Sequence, residues 1–199
     1  MKRFLRGLAG GLLIALAAPG APNVPASNPG TAPDAAAAPG SLSIKVDLSD
    51  RRLDVLERGK VIRTHRIAVG HPKWPTPSGH FRIHRIVWNP SWTPPDASWA
   101  RREQPRAPGD PENPMGRVKI FFREPSYYIH GTREYDSLGR AESHGCIRMR
   151  NSEAVSLARL VMQHGGAPRP QSWWRRVLNR MRNTQEVYLS RSIPVIIQR

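Results

Sequence analysis

Two short segments hold the side chains best suited to covalent chemistry. One is Tyr128-Ile-His-Gly-Thr132; the other, a short loop later, is Ser143-His-Gly-Cys-Ile-Arg-Met149. Cys146 is the only cysteine in 199 residues, which excludes a disulfide framework and any cysteine-rich metal cluster. A thiol is useful as a nucleophile when a neighbouring base or cation lowers its pKa and holds it as thiolate. His130 closes an apolar run sixteen positions before Cys146, and that spacing lets a loop fold back and bring imidazole to sulfur. Gly145 lets the backbone turn sharply before the thiol and aim N–H groups at one point, as an oxyanion pocket requires. The chemistry these residues could do is acyl transfer through a cysteine.

Other readings of the same residues stay open. Cys146 could be a small buried hydrophobe, although an exported protein seldom keeps an unpaired cysteine without a use for it. His130, His144 and Cys146 could in principle make a three-ligand zinc site. No second cysteine is present and no carboxylate stands at a ligand spacing, so neither metal nor other cofactor is expected. Two histidines compete for the role of base. His144 is two residues from Cys146, but a tight turn through Gly145 removes any meaning from that spacing. His130 at a strand end would be held more rigidly.

The elements that must position these groups read mostly as strands. Ser43 to Leu48, Arg51 to Leu56 and Val61 to Val69 alternate apolar and polar residues between tight polar turns, the pattern of a β-meander. Gly79 to Trp88, Arg117 to Phe122 and Ser126 to His130 add further strands. A helix is expected after Asn151, where Ala154, Leu157, Ala158 and Val161 share one face. Asn151 or Ser152 would cap it and Gly165-Gly166 would end it. Beyond it, Trp174, Val177, Leu178 and Met181 form a second helical stripe among arginines. This helix is expected to pack on the sheet rather than lie on a membrane, and two closing strands follow (Val187 to Leu189, Ile193 to Ile197). Trp74, Trp88, Trp92 and Trp99 are placed near the cleft, while His80 and His84 share a strand face with no chemistry.

With these residues in view, a family resemblance is clear. His130-Gly131-Thr132 followed by Ser143-His144-Gly145-Cys146-Ile147-Arg148-Met149 resembles the signature of the L,D-transpeptidase (YkuD-type) catalytic domain. Thr76-Pro-Ser-Gly-His-Phe81, Asn89-Pro-Ser-Trp-Thr-Pro-Pro95 and Asn113-Pro-Met-Gly116 resemble its supporting motifs, in the same order, over roughly residues 42–162. The resemblance implies a mostly β fold with one or two packed helices, similar to a β-sandwich. It implies a cell-wall enzyme whose cysteine attacks the bond between diaminopimelate and the terminal D-alanine of a peptidoglycan stem tetrapeptide. The acceptor would be an amine of a second stem, a lysine of an outer-membrane lipoprotein, or water. Carried over by residue, Cys146 is the nucleophile and His130 its base, with the Gly131 carbonyl orienting the imidazole. Ser143, His144 and Gly145 support the loop and oxyanion pocket. Arg148 either meets substrate or pairs with a carboxylate of the fold. A fold kept only for binding the wall is the alternative of another class.

The flanks and composition set the location. Lys2, Arg3 and Arg6 precede an apolar stretch from Leu8 to Ala18, and small residues follow, so residues 1–21 read as an export signal. That stretch is about half the ~20 residues of a membrane-spanning helix, so no stable membrane span is expected. Residues 22–41 are a Pro/Ala-rich linker, and residues 42–199 the catalytic domain with a basic tail from about 166. Loss of the signal takes three basic residues from a formal charge of +16, leaving +13, which suits an anionic partner such as murein stems. An exported chain without a nucleic-acid motif excludes nucleic acid as that partner. Periplasmic placement follows.

Overall fold

The computed structural model describes residues 41–199; the export-signal and linker expectations fall, but for residue 41, outside them. β1 (Leu42–Asp47), β2 (Arg52–Glu57) and β3 (Lys60–Arg66) pair antiparallel in sequence order. In β1, Leu42, Ile44 and Val46 are buried at every second position, so period-two alternation selects the core face directly. β3 is an edge, and Val61 and Ile62 are both exposed. It ends at Arg66 rather than at Val69 because Ile67 to Val69 leave the sheet for other partners. Ala68 exchanges both backbone hydrogen bonds with Arg148, each 2.9 Å, and Val69 opens the two-residue β4 (Val69–Gly70).

β5 (Gly79–Trp88), β6 (Val118–Arg123), β7 (Tyr127–Thr132), β8 (Ala141–Ser143), β9 (Ile147–Arg150), α1 (Asn151–His164), α2 (Gln171–Asn179) and β10 (Gln185–Gln198) complete the chain. Eight strands form one sheet in the order β3-β2-β1-β10-β5-β6-β7-β9, while β4 and β8 form a separate parallel pair. The bridge from Ala68 to Arg148 joins the chain leaving one sheet edge to β9 at the other. The two ends therefore wrap one core that includes Val46, Leu53, Ile147 and Met149. The fold is mostly β with two packed helices, as expected.

α1 buries Ala154, Leu157, Ala158, Val161 and Met162 in that core and ends at Gly165. No side chain caps its start. Asn151, expected as the cap, is the first helical residue and stitches strands instead. Its Oδ1 accepts from Arg117 N–H at 3.1 Å, and its Nδ2 donates to the Thr132 carbonyl at 3.3 Å. A Cβ on Gly131 would overlap that same Oδ1, so close approach, not a turn, requires this glycine.

The basic tail is a structural part of the sheet. The two expected closing strands are one, β10, with an irregularity between Tyr188 and Ile193; it lies between β1 and β5. α2 buries Trp174 and Val177, whereas Met181 lies beyond its end and is exposed. Trp88, expected at the cleft, is fully buried, because the inner face of β5 carries it against Trp173, Trp174 and Met162. Asn89 follows it in the left-handed region at φ 47°, a conformation asparagine tolerates. Its Nδ2 donates to Val177 O at 2.8 Å, and its Oδ1 accepts from Arg117 Nε. The strand end is thereby tied to the last turn of α2.

Candidate active site

The registers of β6, β7 and β9 lay out the site. Lys119 faces His130 across the antiparallel β6–β7 pair, and Phe121 faces Tyr128. On the other side, parallel pairing sets Arg148 beside His130 and Ile147 beside Ile129. Side chains alternate along a strand, so Lys119, His130 and Arg148 form one row across three strands. Cys146, immediately before β9, falls in the adjacent row beside Tyr128. All five line one cavity of about 760 Å3, with Trp92, Trp99, Met115 and Phe121 among its apolar walls.

The loop carrying the thiol is held from inside. Ser143 is buried; its hydroxyl donates to the Cys146 carbonyl and accepts from Gly145 N–H at 3.2 Å. The Thr76 hydroxyl donates to the Gly145 carbonyl at 3.0 Å and accepts from Gly70 N–H at 2.8 Å. Gly145 has φ +103°, and a Cβ there would press on the Tyr127 ring at 2.9 Å, so the turn into the thiol admits only glycine comfortably. His144 is stacked flat on Trp99, with centroids 3.7 Å apart, and packs against Trp74 on its other flank. Asn113 braces the cavity wall: its Nδ2 donates to Pro90 O and its Oδ1 accepts from Met115 N–H.

His130 is buried, and its Nδ1 lies 2.9 Å from the Gly131 carbonyl. A carbonyl only accepts, so a proton on Nδ1 satisfies this contact and leaves Nε2 as the basic nitrogen, with the Pro114 carbonyl a second acceptor near the ring. Burial is the main cause that lowers the imidazole pKa to about 3, with the positive charges of Arg148 and Lys119 acting in the same direction. The half-buried thiol donates to the Ser126 carbonyl at 3.4 Å. Its pKa is raised, chiefly by burial, against the opposing influence of Tyr128, Lys119 and Arg148. Resting thiol and imidazole are thus both neutral near pH 7. Sequence reasoning anticipated a low-pKa thiolate; desolvation outweighs the cations that would create one. Burial also raises the Tyr128 phenol, which stays protonated beside the sulfur.

Arg148 Nη1 meets Glu134 Oε2 at 2.6 Å while lining the cavity, so it has a carboxylate partner within the fold. Glu134, Lys119, Tyr128 and Thr76 were given no role from sequence. Tyr128 was legible in principle, two residues from His130 on the same strand face. Lys119 needed the β6–β7 register, which no local pattern supplies. Among the described residues, no group of three or more His, Cys, Asp or Glu side chains is placed to hold a metal ion, and His144 is turned toward tryptophans.

A mostly β fold thus brings a thiol and an imidazole to the lining of one cavity. Residues 41–192 match the L,D-transpeptidase catalytic domain (YkuD), and the chain belongs to that family. The YkuD protein of Bacillus licheniformis, named as an L,D-transpeptidase, is 34% identical over 118 residues, covering 59% of each chain. YqjB of Bacillus subtilis, similarly named, is 31% identical over 128 residues, 62% of this chain and 68% of that one. The chain thus spans about three fifths of the length of the first of these relatives. Among solved structures, an L,D-transpeptidase from Mycobacterium smegmatis superposes with a TM-score of 0.50 at 18% identity, covering 80% of this chain and 59% of that one. The Ldtfm–avibactam carbamoyl enzyme gives 0.53 at 18% identity, over 80% and 49%. At such identity these two speak for the fold.

Proposed function

We propose that the protein is a cell-envelope L,D-transpeptidase whose Cys146 transfers the diaminopimelate acyl group of a peptidoglycan stem tetrapeptide to an acceptor amine. The observation that carries this reading is the shared cavity, which Cys146 and His130 line together with apolar walls. The thiol rotates from the Ser126 carbonyl toward the imidazole and gives its proton to Nε2 as sulfur bonds the scissile carbonyl carbon. The proton then passes to the leaving nitrogen as the C–N bond breaks, and D-alanine departs. An incoming amine attacks the thioester, loses its proton to His130, and releases the thiol. A general base of this kind contributes roughly 10²–10⁴-fold.

The neutral resting pair suits such a mechanism, because charge separates only as bonds change. Since Ser143 holds the Gly145 amide, the oxyanion role falls to the amide of Cys146 and its neighbours. A second stem is the proposed acceptor; a lipoprotein lysine or water would use the same thioester. Envelope placement depends on export by residues 1–21. Among the described residues, no helix is long and apolar enough to cross a membrane.

The test is incubation with purified disaccharide-tetrapeptide followed by mass spectrometry of products. Cross-linked dimer with released D-alanine supports transpeptidation; trimmed tripeptide alone reassigns the acceptor to water; unchanged substrate overturns the reading.

A further inference from the structure

Three cationic side chains line the cavity among the described residues: Arg106, Lys119 and Arg148. Two are already neutralised by the fold. Arg148 is held by Glu134 at 2.6 Å, and Arg106 by Glu112 at 2.5 Å, with Asp110 at 3.9 Å. Among the described residues, Lys119 has no carboxylate within ion-pair distance. Its Nζ has only the Ser91 carbonyl at 3.4 Å and the face of the Tyr128 ring, 4.9 Å from the centroid. A carbonyl and a π-face are weak substitutes for a counter-ion.

Its placement is as informative as its lack of a partner. Lys119 is the register partner of His130 and stands over Tyr128, the neighbour of Cys146 in the next row. A partly desolvated ammonium held there without an anion carries a penalty that an incoming anion relieves. We propose that Lys119 is the binding site for a free carboxylate of the donor, namely that of the residue which leaves. This inference rests on the donor chemistry proposed above. In such a donor the terminal carboxylate is three bonds from the attacked carbon. An ammonium that lines the same cavity as the sulfur is placed to meet that carboxylate. Lys119 then selects donors that end in a free acid and orients the scissile bond over Cys146.

The experiment compares two donors, the disaccharide-tetrapeptide and its C-terminal amide, with wild-type, Lys119→Met and Lys119→Arg proteins, folding being checked by circular dichroism. A charged hydrogen bond of ordinary strength predicts a KM for the amide about 10- to 100-fold above that of the acid in the wild type. Lys119→Met raises the acid KM by a similar factor and abolishes the discrimination, while Lys119→Arg retains part of it. Equal losses of kcat on both donors, with a shifted pH profile of thiol alkylation, would overturn the proposal and make Lys119 a group that poises the sulfur. Unaltered discrimination in Lys119→Met would overturn it too. If the wild type turns over neither donor, the functional reading fails on its own. Calorimetric binding of acid and amide to Cys146→Ala, with and without Lys119→Met, then decides the carboxylate site. A preference for the acid that requires Lys119 supports it; equal or absent binding sinks it.

Discussion

His130 and Arg148 are register partners on the parallel strands β7 and β9, and this pairing places Cys146, two residues before Arg148, one row from the imidazole. The backbone of two hydrogen-bonded strands therefore sets the spacing between base and nucleophile. Loop packing is left with a smaller task, fixing the thiol's approach through Ser143, Thr76 and Gly145. A one-residue slip of β9 would turn Arg148 out of the cavity and Ile147 into it.

Replacing the base separates the two histidines. His130→Gln keeps a polar side chain of similar reach and loses the proton acceptor. Single-turnover acylation should fall by roughly 10²–10⁴-fold. His144→Ala removes a ring stacked on Trp99, so it should cost less in acylation. A His144 variant that is as inactive as His130→Gln, while still folded, would reverse the assignment.

The buried imidazole also leaves a signature in stability. Its folded-state pKa is about 3, below the ordinary value of 6.5, so between these pH values the unfolded chain binds a proton that the native protein does not. Stability is intact above pH 6.5 and declines as the pH falls toward 3, by about 1.4 kcal/mol per unit from this group alone. The difference between wild type and His130→Gln in urea denaturation, measured from pH 7 to pH 4, should shrink or reverse along that slope. A constant difference would mean that the imidazole is not held neutral.

Thiol reactivity should follow burial as well. With Cys146 raised above its ordinary range, iodoacetamide alkylation should climb with pH to a midpoint above ~8.5, the value of a free thiol. A plateau already reached near pH 6 would show a resting thiolate and contradict the neutral pair.

The tail makes a prediction about stability alone. Trp174 sits edge-on to Trp88, 5.2 Å between centroids, and its Nε1 donates to Arg169 O at 3.0 Å. Trp174→Ala should cost about 3–5 kcal/mol, read as a lower midpoint in chemical denaturation. A change within experimental noise would make α2 an accessory rather than part of the core.

How far the sequence showed all this depended on whether the signal was local. Gly79–Trp88 matches β5 at both ends, because alternating residues begin at a glycine and stop before Asn89-Pro90. The buried face of α1 was equally plain from its spacing. β8 and β9 are three and four residues long, too short for a period to show, and β9 lies inside the motif that drew attention for its chemistry. Trp88 and Met181 were misplaced for a common reason: an aromatic or apolar residue near a motif does not reveal which face it will occupy. Lys119 was invisible as a site residue because only non-local pairing brings β6 alongside His130. The neutral state of Cys146 and His130 was equally hidden, since desolvation depends on what packs around a group and not on its neighbours in sequence.

The most direct measurement is intact-protein mass spectrometry of the wild type and Cys146→Ala after brief exposure to disaccharide-tetrapeptide without acceptor. The mechanism predicts an adduct equal to the donor less D-alanine, located on Cys146 by peptide mapping and absent from the variant. Release of D-alanine by the folded Cys146→Ala protein at the wild-type rate would contradict it.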